Sequence, residues 1–262
     1  MMSFVITTED GKVIVIDGGY DEDAAKLLAH LQEITSSENP HIDAWFLTHA
    51  HDDHISAFSV FYEAYAGKFS CDAVYYTFPS VPYFERYEKG SAPTLSRFYK
   101  LLPVFGSIAH VVSTGDVYKI GDASVEILLT YDDTITYDIV NNSTTVFRMT
   151  LGGKTVLFMG DVGEISGKRL LERYQTGLKS DMCQLAHHGQ DAVTEDVYDA
   201  IAPTACLWCT PDWLWVNNNY LSNDPETVGK GPFTTLETRA WMEKLGAEKH
   251  YIAKDGDCVI SL

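Results

Sequence analysis

The stretch Thr48-His49-Ala50-His51-Asp52-Asp53-His54 packs three imidazoles and two carboxylates into six positions, directly after the apolar run IDAWFLT, which reads as a strand ending at Thr48. Imidazole and carboxylate together are the ligand set of divalent cations such as zinc, iron and manganese. His49 and His51, two apart in extended chain, project to the same side and can grip one ion. Asp53 and His54 fall where the chain turns into a helix expected over residues 54 to 65, so they can address a second ion close by. The competing reading, a solvated polar turn, suits a lone histidine far better than three at this spacing.

Working outward, FVITT and KVIVID flank Glu9-Asp10-Gly11 and read as a hairpin. Residues 22 to 36 carry Ala25, Leu28, Leu31 and Ile34 at helical spacing, ahead of the histidine-bearing strand. Downstream follow a strand over about 71 to 78, a helical stretch over about 82 to 102, and the strands VYKI, SVEILLT, TTVFRMTL and KTVLFMG. The second half then repeats the first. FRMTLGGKTVLFMGD matches VITTEDGKVIVIDGG in kind, a helix over 164 to 174 follows, and DMCQLAH (181 to 187) lines up with DAWFLTH (43 to 49). Internal duplication explains this best. Two such halves predict an α/β, αββα four-layer sandwich: two mixed sheets packed face to face, helices outside, in one domain over residues 1 to 262.

The repeat supplies the remaining candidates. Asp161 ends KTVLFMGD at a Gly turn, a place where αβ folds commonly present functional groups, although a Gly-Asp turn alone is more often a simple strand end. His187-His188-Gly189 ends the strand that aligns with the one before His49. Five of the nine histidines sit in these two clusters, whereas His30, His41, His110 and His250 lack such company and read as surface or core residues.

Composition bounds the function classes. The 262 residues are 45% hydrophobic and 21% charged, which excludes disordered, collagenous and coiled-coil chains. A formal charge of -18 without a Lys/Arg cluster argues against nucleic acid as a partner, because such binding draws on cationic contacts to phosphate. No apolar run reaches the roughly 18 residues of a membrane helix, and MMSFVITTEDGK lacks signal-peptide character, so the expectation is a cytoplasmic protein with no membrane partner. Five scattered cysteines predict free thiols, and Cys206 and Cys209 in TACLWCT read as core strand rather than as a metal or redox pair. The segment 208 to 233, with Trp208, Trp213, Trp215 and Tyr220, is either a substrate wall or a loop packed onto its own domain; Tyr75, Tyr76, Tyr83 and Phe84 are open to the same two readings.

With these residues in place, the sequence resembles the metallo-β-lactamase superfamily over nearly its whole length. Asp17-Gly18-Gly19 looks like its early strand-end turn, His49 to His54 like its HxHxDH signature, and Asp161 like its bridging aspartate. NNSTTVFRM, VLFMGD and LAHHG are similar to the hydrolase domains of bacterial DNA-uptake channel proteins, and HHG to phosphorylcholine esterases of the same fold. The resemblance implies a two-metal hydrolase with His49 and His51 on one ion, Asp53, His54 and a histidine of the HHG pair on the other, and Asp161 bridging. By analogy with the esterase-like relatives, the metal falls to His188 and a supporting catalytic role to His187. Most relatives place a third imidazole before the strand that starts near Thr144, where this chain has Asn141-Asn142-Ser143.

Two divalent ions are therefore expected, zinc first, with manganese or iron as alternatives. Such a pair activates water and clamps the attacking and leaving oxygens of an in-line displacement. Asp53 would orient the hydroxide, and His187 would steady the oxyanion or protonate the leaving group. The expected substrate is a small phosphoester; a carboxylic ester, amide or thiolester is the alternative, and a metal-binding module without turnover a third reading.

Overall fold

β1 (Ser3–Thr7) and β2 (Val13–Asp17) pair antiparallel, as the hairpin reading requires. The computed structural model describes residues 2 to 218 and 225 to 262, so Tyr220 lies outside the described residues. The chain divides into two compact units, Met1–Thr145 and Val146–Leu262.

In the first unit, α1 (Ala24–Thr35) connects β2 to β3 (His41–Ile42) and β4 (Ala44–Phe46). α2 (Asp52–Ala64), β5 (Ser70–Cys71), β6 (Val74–Tyr76), α3 (Val81–Tyr87), α4 (Ala92–Phe105) and β7 (Ala109–Val111) follow. The β8 (Val117–Ile120) and β9 (Ala123–Leu129) pair, again antiparallel, comes last. The main sheet runs β1-β2-β4-β6-β7, and every pair after the first is parallel. β2 is buried along its whole length, the pattern of a strand covered on both faces. The core of this unit is aromatic: Trp45 meets Phe58 and Phe61 edge-on at 5.0 Å each, and Phe84, Phe98 and Phe105 join the same cluster.

Three sequence expectations shift here. α1 buries Ala24, Leu27, Leu28 and Leu31, so the core stripe is set one residue earlier than the Ala25 to Ile34 spacing suggested, and Ile34 is exposed. α2 starts at Asp52 rather than at residue 54, which places Asp53 and His54 in its first turn. The stretch 82 to 102 is two helices, broken at Glu88 to Ser91, with Pro93 in the first turn of α4, where its missing N–H costs nothing.

The second unit carries β10 (Val146–Leu151), β11 (Lys154–Phe158), α5 (Glu164–Tyr174), β12 (Met182–Gln184), α6 (Glu195–Ile201), β13 (Ala205–Trp208), α7 (Asp212–Trp215), α8 (Thr235–Leu245) and β14 (Lys249–Ile252). Antiparallel β10–β11, then α5, then β12 parallel to β11, repeat the order and pairing of β1, β2, α1 and β4. β13 and β14 extend the unit in parallel. β13 is fully buried, with Cys206 in register with Cys183 and no disulfide, in keeping with a core strand.

Of the ambiguous aromatics, Phe84 and Tyr76 are core residues, and Tyr75 stacks between Phe46 and His110. Trp208 packs edge-on against Trp215, whose ring carries the Arg239 guanidinium at 4.1 Å, and Trp213 meets Phe233. These described aromatics pack the loop onto its own unit. Among the described residues no helix is long and apolar enough to cross a membrane.

Candidate metal centre

The first unit builds its donor cluster on Asp17. This residue ends β2 in the left-handed region, at φ +53°, and is fully buried. Its carboxylate accepts the Thr48 N–H (2.8 Å), the Thr48 hydroxyl (2.7 Å) and Nδ1–H of His54 (2.8 Å). Because the Thr48 proton goes to Asp17, its oxygen is left to accept Nδ1–H of His49 at 3.0 Å. Gly18 lets this turn press against α2, since an added Cβ would lie 3.1 Å from the Cβ of Ala57. The turn is bonded to α2 as well, through Gly19 N–H to His54 and Ala57 N–H to Gly19.

The proton positions fix where the imidazoles point. With Nδ1 of His49 and His54 engaged, their Nε2 atoms carry the lone pairs a cation would use. Nε2 of His49 lies 3.1 Å from Nδ1 of His51, and Nε2 of His54 lies 3.9 Å from a carboxylate oxygen of Asp53. The four residues thus form two neighbouring donor pairs, His49 with His51 and Asp53 with His54.

Behind His51 stands Glu88, in the break between α3 and α4. Its Oε1 is 3.6 Å from Nε2 of His51, and its Oε2 accepts the Val140 N–H at 3.2 Å. Burial pushes the Glu88 carboxyl up, but the His51 ring and the Val140 and Ile139 N–H groups outweigh it and hold the group below its usual range. The segment that lacks the third imidazole is itself closed: Asn142 donates Nδ2–H to the carbonyls of Tyr137 (3.2 Å) and Asp138 (3.0 Å), and the Ser143 hydroxyl donates to Ile139.

The second unit holds Asp161 and His188 together, Oδ2 to Nε2 at 3.3 Å, both buried. Gln184, fully buried in β12, clamps the turn before Asp161: its Oε1 accepts the Met159 and Gly160 N–H groups at 2.9 and 2.6 Å, and its Nε2 donates to the Gly160 carbonyl at 3.0 Å. His188 donates Nδ1–H to the Cys209 carbonyl at 2.8 Å and accepts at its own carbonyl from Thr210. His187, His188 and Gly189 all have positive φ (50°, 57° and 83°), an arrangement that costs about 1 to 2 kcal/mol for each non-glycine residue. Gly189 is required twice over, because a Cβ there would also lie 2.6 Å from the Trp208 ring. His187 is part-exposed, and its Nδ1 meets the Asp191 carbonyl at 2.6 Å.

In each unit the donors are of the imidazole and carboxylate kind that a zinc-type divalent cation takes. In each of His49, His54 and His188 one ring nitrogen is held by an oxygen, the arrangement that orients metal-ligating histidines and sets their tautomer. Sequence reading missed Asp17 as the anchor of His54, Gln184 as the clamp, and Glu88 altogether. Of the four histidines outside the two clusters, His30 is exposed, His110 stacks on Tyr75 and His250 accepts from Trp208, whereas His41, expected to lack such company, lies with Asp43 and Asp72 in a mostly exposed group of donors.

Residues 2–204 match the family described as Metallo-beta-lactamase superfamily. No curated protein matches the sequence. Among solved structures, the metallo-beta-lactamase fold protein YhfI from Bacillus subtilis is similar over 97% of this chain and 89% of its own, at 14% identity and a TM-score of 0.56. A CmlA beta-hydroxylase E377D mutant aligns with 95% of this chain and 52% of its own, at 14% identity and a TM-score of 0.53. At these identities the likeness is one of fold.

Proposed function

This chain belongs to the metallo-beta-lactamase superfamily of metal-dependent hydrolases, and from that premise we propose that it uses two divalent ions to cleave a small phosphoester. The family pattern assigns His49, His51 and Asp161 to the first ion and Asp53, His54, Asp161 and His188 to the second, with Asp161 shared. The observation that supports the metal part of the reading is the oxygen that engages Nδ1 of His49, His54 and His188, which leaves each Nε2 to a cation.

When bound, the ions supply positive charge that lowers the pKa of water and stabilises charge developing on the substrate oxygens. Asp53 orients the attacking water and takes its proton as the new bond to phosphorus forms. His187 serves the leaving oxygen as that bond to phosphorus breaks. Its Nδ1–H is spent on the Asp191 carbonyl, so it delivers a proton from Nε2 only as the imidazolium. His49 and His54 are fully buried, whereas His51 is part-exposed, so substrate approaches from the His51 side of the first unit's cluster.

The charge of -18 disfavours long polyanions, while an ion pair attracts a single phosphate locally. A carboxylic ester, amide or thiolester substrate is the second reading, weakened by the lack of an imidazole at Asn141 to Ser143. The test is a panel of chromogenic phosphodiester, phosphomonoester, carboxylic ester and lactam substrates with zinc, manganese and iron. Phosphoester turnover is expected, and lactam or ester turnover alone would reverse the ranking.

A further inference from the structure

Two ring nitrogens 3.1 Å apart, Nε2 of His49 and Nδ1 of His51, can face each other in two ways. Either His51 carries its proton on Nδ1 and donates it to His49, closing the pair as a neutral hydrogen bond, or it carries the proton on Nε2, and both facing atoms are lone pairs that call for a cation. His49 does not choose, since Thr48 already holds its proton on Nδ1. What decides is the group on the far side of His51, and in the first unit that group is the Glu88 carboxylate, 3.6 Å from Nε2.

We infer that Glu88 is a positioning residue for the first metal: its carboxylate draws the His51 proton to Nε2 and thereby turns Nδ1 of His51 into a ligand beside His49. The separation is that of a charge pair rather than of a made hydrogen bond. Glu88 is also fastened from behind. Its Oε2 accepts the Val140 N–H, so the segment that lacks the third imidazole is bonded to the carboxylate that stands behind the second one. A first site short of one histidine is thus supported through an outer carboxylate, which raises the basicity of the ligand it holds. The sequence hides this because Glu88 lies 37 residues from His51, in the break between two helices.

The inference rests on the two-metal reading, and its test separates the two. Histidine-labelled, metal-free protein is examined by long-range proton–nitrogen NMR, with His51 assigned by comparison with His51→Gln, and the same samples are then titrated with cobalt(II) and followed by their visible spectra. In the wild type, His51 is expected as the Nε2–H tautomer. In Glu88→Ala it shifts to Nδ1–H, and one of the two cobalt ions binds about 10- to 100-fold more weakly while the other is unchanged. Glu88→Gln, which loses the charge but can keep the bond from the Val140 N–H, weakens that cobalt ion less than Glu88→Ala does. A merely structural role, holding the Val140 segment, would lower the urea midpoint of metal-free protein and leave tautomer and spectrum alone. A wild-type tautomer and titration in Glu88→Ala would overturn the inference. Should the alanine variant not fold, Glu88→Gln decides: one weakened cobalt supports it, a wild-type titration overturns it. Wild-type protein that takes up no cobalt would instead overturn the two-metal reading, with the metal-free tautomer still reporting on Glu88.

Discussion

The Asp17 carboxylate and Nδ1 of His54 lie 2.8 Å apart, both fully buried, so the end of β2 and the first turn of α2 share one charge-assisted bond. The same carboxylate takes two donors from Thr48. Asp17→Ala leaves three buried donors without their acceptor, at about 1 to 3 kcal/mol each. Urea unfolding of the metal-free protein should show a loss of at least about 3 kcal/mol, and a loss below about 1 kcal/mol would remove Asp17 from its role as anchor.

Gly189 yields a second prediction, with an internal control. Its φ of +83° resists a side chain, and so does the Trp208 ring, which would stand 2.6 Å from a Cβ at this position, whereas Gly246, at φ +75°, has open space around it. Gly246→Ala should cost about 1 kcal/mol, the strain of the backbone alone. Gly189→Ala should cost clearly more and weaken metal binding, because the backbone that carries His188 must move. Equal costs in the two variants would mean that the Trp208 contact does not hold the turn.

The cysteines make a third. Burial pushes the Cys206 thiol up to about 12 and Cys183 well above its usual range, while Cys258 is exposed. The thiolate is the reactive form, so a raised pKa leaves little of it at about pH 8. Iodoacetamide at that pH should label Cys258 in the native protein and reach Cys183 and Cys206 only after unfolding, as mass spectrometry of peptides would reveal. Rapid native labelling of Cys206 would argue for a redox or metal role of the Cys206 and Cys209 pair.

Asn142→His supplies the imidazole that the family resemblance leads one to expect before β10. It also removes the amide that bonds the Tyr137 and Asp138 carbonyls. The variant should bind the first ion more tightly in a chelator titration, yet unfold about 1 kcal/mol more easily. Unchanged chelator sensitivity would contradict the proposal that the missing imidazole weakens the first site.

Legibility in the sequence followed the range of the contacts. HxHxDH was readable because its spacing alone puts donors side by side, and the repeat of strand, turn and strand pointed to the second histidine group. Asp17 was visible as a strand-end turn, but its bond to His54 spans 37 residues and has no local trace. Gln184 was passed over as one polar residue in an apolar strand, although a lone amide in such a run is itself a sign of a buried clamp. Glu88 was lost by reading 82 to 102 as one helix; Gly90, Ser91 and Pro93 marked the break and the restart. The lean of α1 by one residue reflects the width of an apolar stripe, which several spacings fit equally well.

The central claim is that the two histidine groups serve a metal pair, and elemental analysis of the full chain after zinc or manganese reconstitution tests it most directly. The wild type should hold about two ions per chain, the count of a two-metal site. Asp161→Ala should lose most of both, because its single carboxylate is assigned to both ions. Protein that stays metal-free after reconstitution, or an Asp161→Ala variant that keeps the wild-type content, would contradict it.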